Sequence, residues 1–272
     1  MLYLFIPVTI FVLWFSFRYA WWRKPKDYSH PRILMYHMIA CPHSGAKFNG
    51  LRVSPEKFER QITWLKHNHW HFTTMAELMS HSESLPNKTV AITFDDGYQD
   101  NYTDAFRIMK KYGVKGTLYL VVNRHDNDWS TQKKAHHDSG ELARTAKLSD
   151  EQVQEMVDSG LFEIGGHTLS HVNLSTSDEE TKRKEIADCK VQLETTFNTS
   201  VTSFAYPFGI YQDDDPELVA SLGFTNAVLA EGGIETDRVQ RRFTLRRIKI
   251  SGKDNFFAFK CRIKTGKRGL KK

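Results

Sequence analysis

The sequence predicts an α/β fold in which parallel strands form a barrel or near-barrel, preceded by a transmembrane helix. Short apolar runs alternate with amphipathic helical patterns along the body of the chain, and there are seven such runs. Strands that alternate with helices pair in parallel, and seven of them suit a barrel better than a doubly wound sheet. A separate uncharged stretch at residues 2–17 predicts the membrane helix.

The N-terminal stretch is long enough to approach the thickness of a bilayer. Residues 2–17 would make a helix of about 24 Å, and continuation to Trp22 would give about 31 Å. A cleaved signal peptide is the alternative, but no basic residue precedes the run and no small-residue cleavage site follows it. We expect an uncleaved single-pass anchor, residues 1–24, in the inner membrane. The flanking cations favour a cytoplasmic body over a periplasmic or extracytoplasmic one.

The body of the chain carries the strand and helix patterns in alternation. The predicted strands cover residues 33–39, 90–94, 117–122, 162–166, 203–207, 225–229 and 245–250. Helical patterns begin at Ser54, near Tyr102, at Ser149, at residue 178 and at Glu217. The polar stretch 123–147 has little periodicity, which predicts an insertion near a functional surface.

Basic charge is concentrated at the two ends of the chain. The net charge is +6, yet residues 27–259 carry 27 basic and 32 acidic side chains. Residues 260–272 form a basic tail with seven cations and no acid, which fits contact with anionic lipid headgroups. A solvated, disordered tail is the alternative. A mildly acidic body argues against a nucleic-acid enzyme, and neither GxGxxG nor GxxxxGK[ST] occurs.

Two polar clusters follow predicted strands. Asp95 and Asp96 come at the end of one strand, and His167 and His171 follow another at a spacing that would bring both imidazoles to one ion if the segment were helical. The carboxyl ends of barrel strands carry active sites, and one Asp with two His leaves positions open for water and substrate, as in a catalytic zinc site. A turn-capping Asp pair and a surface His pair are the alternatives.

The order of these motifs resembles a known family. TFDDG at residues 93–97, HTLSH at residues 167–171 and FAYPFG at residues 204–209 are similar to the NodB-homology polysaccharide deacetylases, carbohydrate esterase family 4. The YHM at residues 36–38 and the SPEKFERQITWL helix most resemble the poly-β-1,6-N-acetylglucosamine de-N-acetylase branch. The resemblance implies a distorted seven-stranded (β/α) barrel over residues 30–259.

The resemblance also implies roles for individual residues. Asp95 matches the catalytic base, and Asp96, His167 and His171 match ligands of a divalent metal, for which we expect zinc. The backbone N–H of Phe208 matches the position that meets the oxyanion. The expected activity is removal of N-acetyl groups from an amino-sugar glycan or a lipid-linked sugar by metal-activated water.

The sequence departs from the family pattern at two positions. Ala205 stands where the family has an Arg that orients the base, and Arg247 on the last strand is a candidate replacement. The late His that serves as general acid is absent from Leu245–Ile248, so we assign the proton donor to His37, a position that the poly-N-acetylglucosamine branch also uses. A structural, partly buried histidine is the alternative for His37.

Other histidines have weaker support as site residues. His67, His69, His71, His136 and His137 do not follow predicted strands, so we interpret them as surface residues. The alternative to an enzyme is a non-catalytic, membrane-tethered carbohydrate-binding barrel in which the missing Arg and His reflect decay. A hydrolase of lipid-linked sugars at the cytoplasmic membrane face is a further possibility, favoured by the basic ends.

Overall fold

The chain folds as an α/β unit around one parallel sheet. The computed structural model describes residues 2–80, 85–230 and 232–270, with side chains described from residue 7 onward. Met1 of the expected anchor, and Lys271 and Lys272 of the expected basic tail, lie outside the described residues.

Strands and helices alternate through most of the described chain. The strands are β1 (Arg32–Tyr36), β2 (His71–Thr73), β3 (Thr89–Asp96), β4 (Gly116–Leu120), β5 (Phe162–Gly166), β6 (Ser203–Ala205), β7 (Asn226–Val228) and β8 (Ile248–Lys249). The α-helices are α1 (Leu2–Tyr19), α2 (Pro55–His67), α3 (Met75–Ser80), α4 (Arg107–Tyr112), α5 (Ser130–Lys133), α6 (Glu141–Arg144), α7 (Asp150–Asp158), α8 (Glu179–Phe197), α9 (Asp215–Ser221) and α10 (Phe256–Thr265). A π-helical turn (Asn101–Phe106) leads into α4, and 3₁₀ turns occupy Leu174–Thr176 and Pro207–Gly209.

The sheet curls until its two edges approach each other. Its order is β7-β6-β5-β4-β3-β1-β8, with β2 beside the first half of β3, and all these pairs are parallel. Beyond this order, Val228 of β7 forms a parallel bridge with Leu245, just before β8. The curvature gathers the carboxyl ends of the strands around one mouth.

The central strand is covered on both faces. All residues of β3 are buried, as expected for a parallel strand with helices packed outside it. Helix α2 begins where the sequence predicted: the side chain of Ser54 accepts the N–H of Lys57, and Pro55 occupies the first turn. Its Phe58 and Leu65 are fully buried against the sheet.

The predicted strand count is wrong by one. The seven predicted strands are all present in shortened or extended form, and β2 is an additional strand, so the described chain holds eight. His71 is exposed, as predicted, but the backbone of His71–Thr73 pairs with Thr89–Ala91 of β3. A three-residue strand leaves too short a pattern for alternation to be recognised.

The predicted transmembrane helix is also wrong. Helix α1 ends at Tyr19 because Ala20 adopts a φ of 44°, so the extension to Trp22 that the prediction needed is not helical. Across residues 2–80, 85–230 and 232–270, no helix combines the length and the apolar character needed to cross a bilayer. A single-pass location in the inner membrane is therefore not supported, and the predicted lipid contacts lose their basis.

The C-terminal end of α1 takes part in the packing of the body. Tyr19 is buried with its ring edge-on to Phe257 at a centroid distance of 5.1 Å. The side-chain amide of Asn255 donates to the Tyr19 hydroxyl at 2.9 Å. This end of the helix is fixed on α10 rather than separated from the body.

The start of the expected basic tail is folded. The boundary placed at residue 260 falls within α10, where Arg262 and Ile263 are buried. Arg262 and Arg268 both pair with the buried carboxylate of Asp254, at 2.6 and 2.8 Å. The described part of this segment thus returns to the body of the protein.

A buried arginine ties both ends of the body together. Arg32 is fully buried, and its guanidinium donates to the backbone carbonyls of Ile263 (3.0 Å), Asp27 (2.7 Å), Lys26 (2.8 Å) and His30. Burial lowers the pKa of Arg32 to about 10, which leaves it charged at neutral pH. Four main-chain acceptors, from both the N-terminal segment and α10, depend on this one side chain.

We expect Arg32→Met to lower the free energy of unfolding by about 2–4 kcal/mol, because buried carbonyls lose their donor. Urea denaturation followed by circular dichroism would measure the change. Arg183→Met provides the matched control, since Arg183 is exposed on α8, and it should shift the midpoint little. Equal stability of the two variants would contradict the role assigned to Arg32.

Candidate active site

The polar residues singled out in the sequence gather at the mouth of the curled sheet. Asp95 and Asp96 are the last two residues of β3, and β5 ends immediately before His167. Because the strands are parallel, their carboxyl ends open onto the same edge. The segment that follows β6 supplies Phe208 to the same mouth.

The chain turns sharply after β3, and the two neighbouring carboxylates take different partners. Asp96 has a φ of 78° and Gly97 a φ of 82°. A Cβ on Gly97 would lie 2.5 Å from Cδ1 of Leu120, so only glycine fits without displacement. As a result, the Asp95 carboxylate pairs with Arg247, whereas the Asp96 carboxylate faces His167 and His171.

The two histidines converge by a loop rather than by a helix. The helical condition considered for residues 167–171 is not met, because the segment contains no helix and bends through positive φ values of 66° at Thr168 and 56° at His171. The Nε2 atoms of His167 and His171 lie 3.4 and 3.3 Å from Oδ1 of Asp96. The bends achieve what the four-residue spacing was expected to do.

Both imidazole rings are held in place by their surroundings. Nδ1 of His167 donates to the carbonyl of Ala205 at 2.7 Å, which leaves the lone pair of Nε2 facing Asp96. The His171 ring stacks on Trp129 with centroids 4.9 Å apart and meets Phe208 edge-on at 4.5 Å. Burial lowers the pKa of His171, which favours the neutral, metal-ligating form.

These donors fit a metal ion. One ligand atom each from Asp96, His167 and His171 lies within 4.8 Å of the others, and all three residues are buried. Burial by itself would raise the pKa of Asp96, but the two neighbouring histidines hold it well below its usual range. One carboxylate oxygen and two imidazole nitrogens in a buried cluster are a suitable donor set for a divalent ion with open positions.

Asp95 is clamped by the candidate arginine from the last strand. The two terminal nitrogens of Arg247 donate to the two carboxylate oxygens of Asp95 at 2.6 Å each. Arg247 is fully buried and also donates to Thr93 Oγ1 at 2.9 Å and to the carbonyl of Leu229 at 2.6 Å. Burial opposes ionisation of Asp95, but the Arg247 charge prevails and lowers the pKa of that carboxyl.

His37 lies beside the carboxylates, immediately after β1. The register pairs Tyr36 with Phe94, so His37 is level with Asp95 on the neighbouring strand. The side chain is half-buried. Burial lowers the pKa of His37, the charges of Asp96 and Asp95 oppose that effect, and Lys249 and Arg247 add to it.

The sequence analysis did not identify the residues that line the site next to the polar insertion, residues 123–147. Trp129, Tyr98 and Lys147 are buried there, and the Lys147 ammonium lies 4.8 Å from the Trp129 ring and 5.0 Å from the Tyr98 ring. Burial lowers the pKa of Lys147 to about 8. The signal was the large apolar Trp129 within an otherwise polar stretch, which in a loop indicates a buried anchor.

The remaining histidines stay outside the cluster. His67, His69, His71 and His136 are exposed and His137 is half-buried. Within the described chain, the group of three potential ligands is Asp96, His167 and His171 alone.

Comparison with known proteins identifies the family. The family described as "Polysaccharide deacetylase" matches residues 82–227, more than half of the chain. The YxkH protein of Bacillus subtilis, named for the same family, is 33% identical over 235 residues, which cover 85% of this chain and 75% of that protein. The poly-beta-1,6-N-acetyl-D-glucosamine N-deacetylase of Staphylococcus epidermidis is 30% identical over 182 residues, 63% of this chain and 59% of its own length.

A solved structure of the family has the same fold. The deacetylase PplD of Streptococcus pyogenes, in complex with acetate, superposes with a TM-score of 0.69 at 26% identity, over 84% of this chain and 94% of that one. The family match spans β3 to β6 and includes the Asp95-Asp96 pair, the two histidines and Phe208 at the mouth. This chain therefore belongs to the polysaccharide deacetylase family, carbohydrate esterase family 4.

Proposed function

We propose that the protein is a metal-dependent hydrolase that removes N-acetyl groups from an amino-sugar glycan. The observation that carries the proposal is the division of partners between two adjacent carboxylates. Asp96 faces two histidine nitrogens, and Asp95 is held ionised by Arg247. Hydrolysis of an amide needs both an electrophilic centre and a base beside it.

Asp96, His167 and His171 would hold the metal, for which we assign zinc from the mixed imidazole and carboxylate donors. When bound, such an ion polarises the amide carbonyl and makes water a stronger acid. The Ala205 carbonyl keeps His167 in the tautomer that can act as a ligand. The Trp129 and Phe208 rings hold His171 in the corresponding orientation.

Asp95 is the proposed general base. Its carboxylate accepts a proton from the attacking water as the new carbon–oxygen bond forms. The Arg247 fork fixes the direction of both oxygens, and such fixed geometry accounts for a large part of the rate of proton transfer. The backbone N–H of Phe208, at a φ of 60°, is the proposed donor to the oxyanion.

His37 is the proposed general acid. The carbon–nitrogen bond breaks with protonation of the sugar nitrogen, giving acetate and a free amine. The placement of His37 level with Asp95 on the neighbouring strand supports a proton donor beside the proposed base. This assignment fills the gap left by the missing late histidine of the family pattern.

An N-acetylated amino-sugar glycan is the proposed substrate class. The name of the Staphylococcus epidermidis relative specifies N-deacetylation of poly-β-1,6-N-acetylglucosamine, and PplD is a deacetylase whose structure contains acetate, the product expected here. A non-catalytic carbohydrate-binding barrel would not need an ionised carboxylate next to a metal-ligand cluster. Release of acetate from N-acetylglucosamine oligomers by the zinc-loaded protein tests the proposal, and binding without acetate release would contradict it.

We expect Asp96→Ala to lose the metal, because a ligand is removed, and Asp95→Asn to retain it. Asp95→Asn should nonetheless lower turnover by roughly 10²–10⁴-fold, since the amide cannot accept the proton. Metal content after dialysis and acetate release measure the two effects. Comparable metal loss in both variants would contradict the division of roles.

We expect Arg247→Lys to lower turnover by about 10²-fold while metal content is unchanged, because lysine keeps the charge but cannot grip both oxygens of Asp95. Arg246→Lys is the matched control on the neighbouring residue. Acetate release at saturating substrate is the measurement. Full activity of Arg247→Lys would show that the fork does not position the base.

We expect His37→Ala to retain the metal and to lose amide hydrolysis more than ester hydrolysis. An amine departs only when protonated, whereas an alcohol leaving group depends less on an acid. Rates on an N-acetyl sugar and an O-acetyl ester provide the comparison. Equal losses on the two substrates, with a lower melting temperature, would make His37 a structural residue.

A further inference from the structure

A basic cleft adjoins the proposed active site. It has a volume of about 750 Å³ and lies between the chain that follows β8, the loop around residues 47–51 and the turn after α10. Of its 14 described lining residues, seven are Lys or Arg and none is Asp or Glu. A concave surface lined by one sign of charge concentrates ligands of the opposite sign.

The charge in this cleft is only partly neutralised by the protein. Arg262 and Arg268 pair with Asp254, and Arg247 pairs with Asp95. The lining lysines have no acidic partner among the described residues. These lysines are Lys47, Lys249, Lys253 and Lys267, all exposed.

The concentration of positive charge contrasts with the rest of the body. Residues 27–259 carry more acidic than basic side chains, so a general excess of lysine does not account for it. Like charges close together repel one another and destabilise the folded state, which a bound anion would relieve. The uncompensated lysines therefore indicate an anionic ligand.

Strand β8 connects this cleft to the reacting groups. Arg247 and Lys249 are two residues apart in an extended segment, so their side chains point to the same side of the sheet. Arg247 reaches Asp95, and Lys249 lies about 6–7 Å further along the strand toward the mouth. A ligand that is bound by Lys249 lies next to the sugar whose amide meets Asp95.

Glycines leave room in the wall of the cleft. Gly232 and Gly233 have φ values of 131° and 95°, which side chains rarely adopt. A Cβ at Gly232 would lie 2.8 Å from Cγ of Arg246. Glycine at residue 232 therefore leaves room for the Arg246 side chain behind the wall of the cleft.

We propose that the cleft binds a phosphate group of the substrate, and that the enzyme acts on a phosphate-bearing amino-sugar glycan. This inference rests on the proposed function and specifies the substrate class for the same site. Several mobile ammonium groups suit the tetrahedral oxygens of a phosphate in varied orientations better than a planar carboxylate, which favours an arginine fork. The phosphate could belong to a phosphodiester within the polymer or to a diphosphate that joins the sugar to a carrier.

The test compares matched substrates on the zinc-loaded full chain. The neutral substrate is an N-acetylglucosamine pentamer. The charged ones are UDP-N-acetylglucosamine, which represents a diphosphate carrier, and an N-acetylglucosamine polymer linked by phosphodiesters. We expect kcat/KM for at least one charged substrate to exceed the neutral value by about tenfold or more, since three exposed ion pairs together supply that factor, and to fall with added salt. The preferred charged substrate identifies the source of the phosphate.

Charge variants separate the cleft from the metal, which could itself attract phosphate. Lys47→Gln, Lys253→Gln and Lys267→Gln combined should remove the preference and leave the rate on the neutral pentamer within about twofold, while Lys249 is kept because its charge acts on His37. Lys66→Gln, Lys110→Gln and Lys184→Gln combined form the control for net charge, because these lysines are exposed on α2, α4 and α8, outside the lining of the cleft. The inference would be overturned if the cleft triple variant kept the preference for a charged substrate. Equal rates of the unaltered protein on neutral and charged substrates would overturn it as well.

A binding measurement keeps the inference distinguishable from the proposed function. Calorimetric titration with N-acetylglucosamine 1-phosphate and with N-acetylglucosamine should show tighter binding of the phosphate, lost in the cleft triple variant. That result without acetate release from any substrate would refute the proposed hydrolase and retain the phosphate site. Acetate release together with equal binding of the two sugars would retain the proposed hydrolase and refute the phosphate site. An equally strong preference for oligomers that contain N-acetylmuramic acid would overturn the assignment to phosphate.

Discussion

The buried pair of Asp95 and Arg247 determines the geometry of the mouth. One guanidinium contacts the end of β3 through Asp95 and Thr93, and the carbonyl of Leu229 just after β7, while its own backbone leads into β8. It can do so because β8 lies beside β1, one strand from β3, and because the sheet curls enough to bring β7 next to the segment before β8. Burying both charges is expensive, and removal of either partner alone would leave the other uncompensated at a cost of about 3–5 kcal/mol. The fold and the proposed base are therefore stabilised by the same contact.

Backbone strain supplies the rest of the site. Asp96, Thr168, His171 and Phe208 all adopt positive φ without being glycine, which costs on the order of 1–2 kcal/mol each. Each of these residues either carries a proposed ligand or aims one. The rigid sheet below and the packing of Trp129 against His171 hold these conformations in place. These strained conformations lower the stability of the fold. In return, they bring together ligand atoms that neither a regular helix nor a regular strand would place side by side.

Local patterns predicted the parts of this protein that local physics determines. The apolar runs located β1 and β3 through β8, and the Asp95-Asp96 pair and the two histidines were expected at strand ends, where they lie. The mode of convergence was not predictable, because positive φ at Thr168 and His171 depends on packing from distant segments. Helix α1 was misjudged for a related reason, since hydropathy along the chain does not reveal that Tyr19 packs on α10 and the helix stops. Arg247 was identified only as a candidate, because its pairing requires knowing that the first and last strands are neighbours.

The charge of the cleft bears on product release as well as substrate binding. Deacetylation converts a neutral amide into an amine that is positively charged near neutral pH, so each proposed turnover places a cation beside Lys249. An anionic substrate is attracted to the lysines, whereas the same sugar after reaction carries a compensating positive charge and is held less tightly. Tighter binding of the substrate than of the product favours turnover, because binding energy that persists in the product slows its release. A neutral glycan would gain nothing from these lysines on binding, so a cleft with this charge is suited to a substrate that carries negative groups.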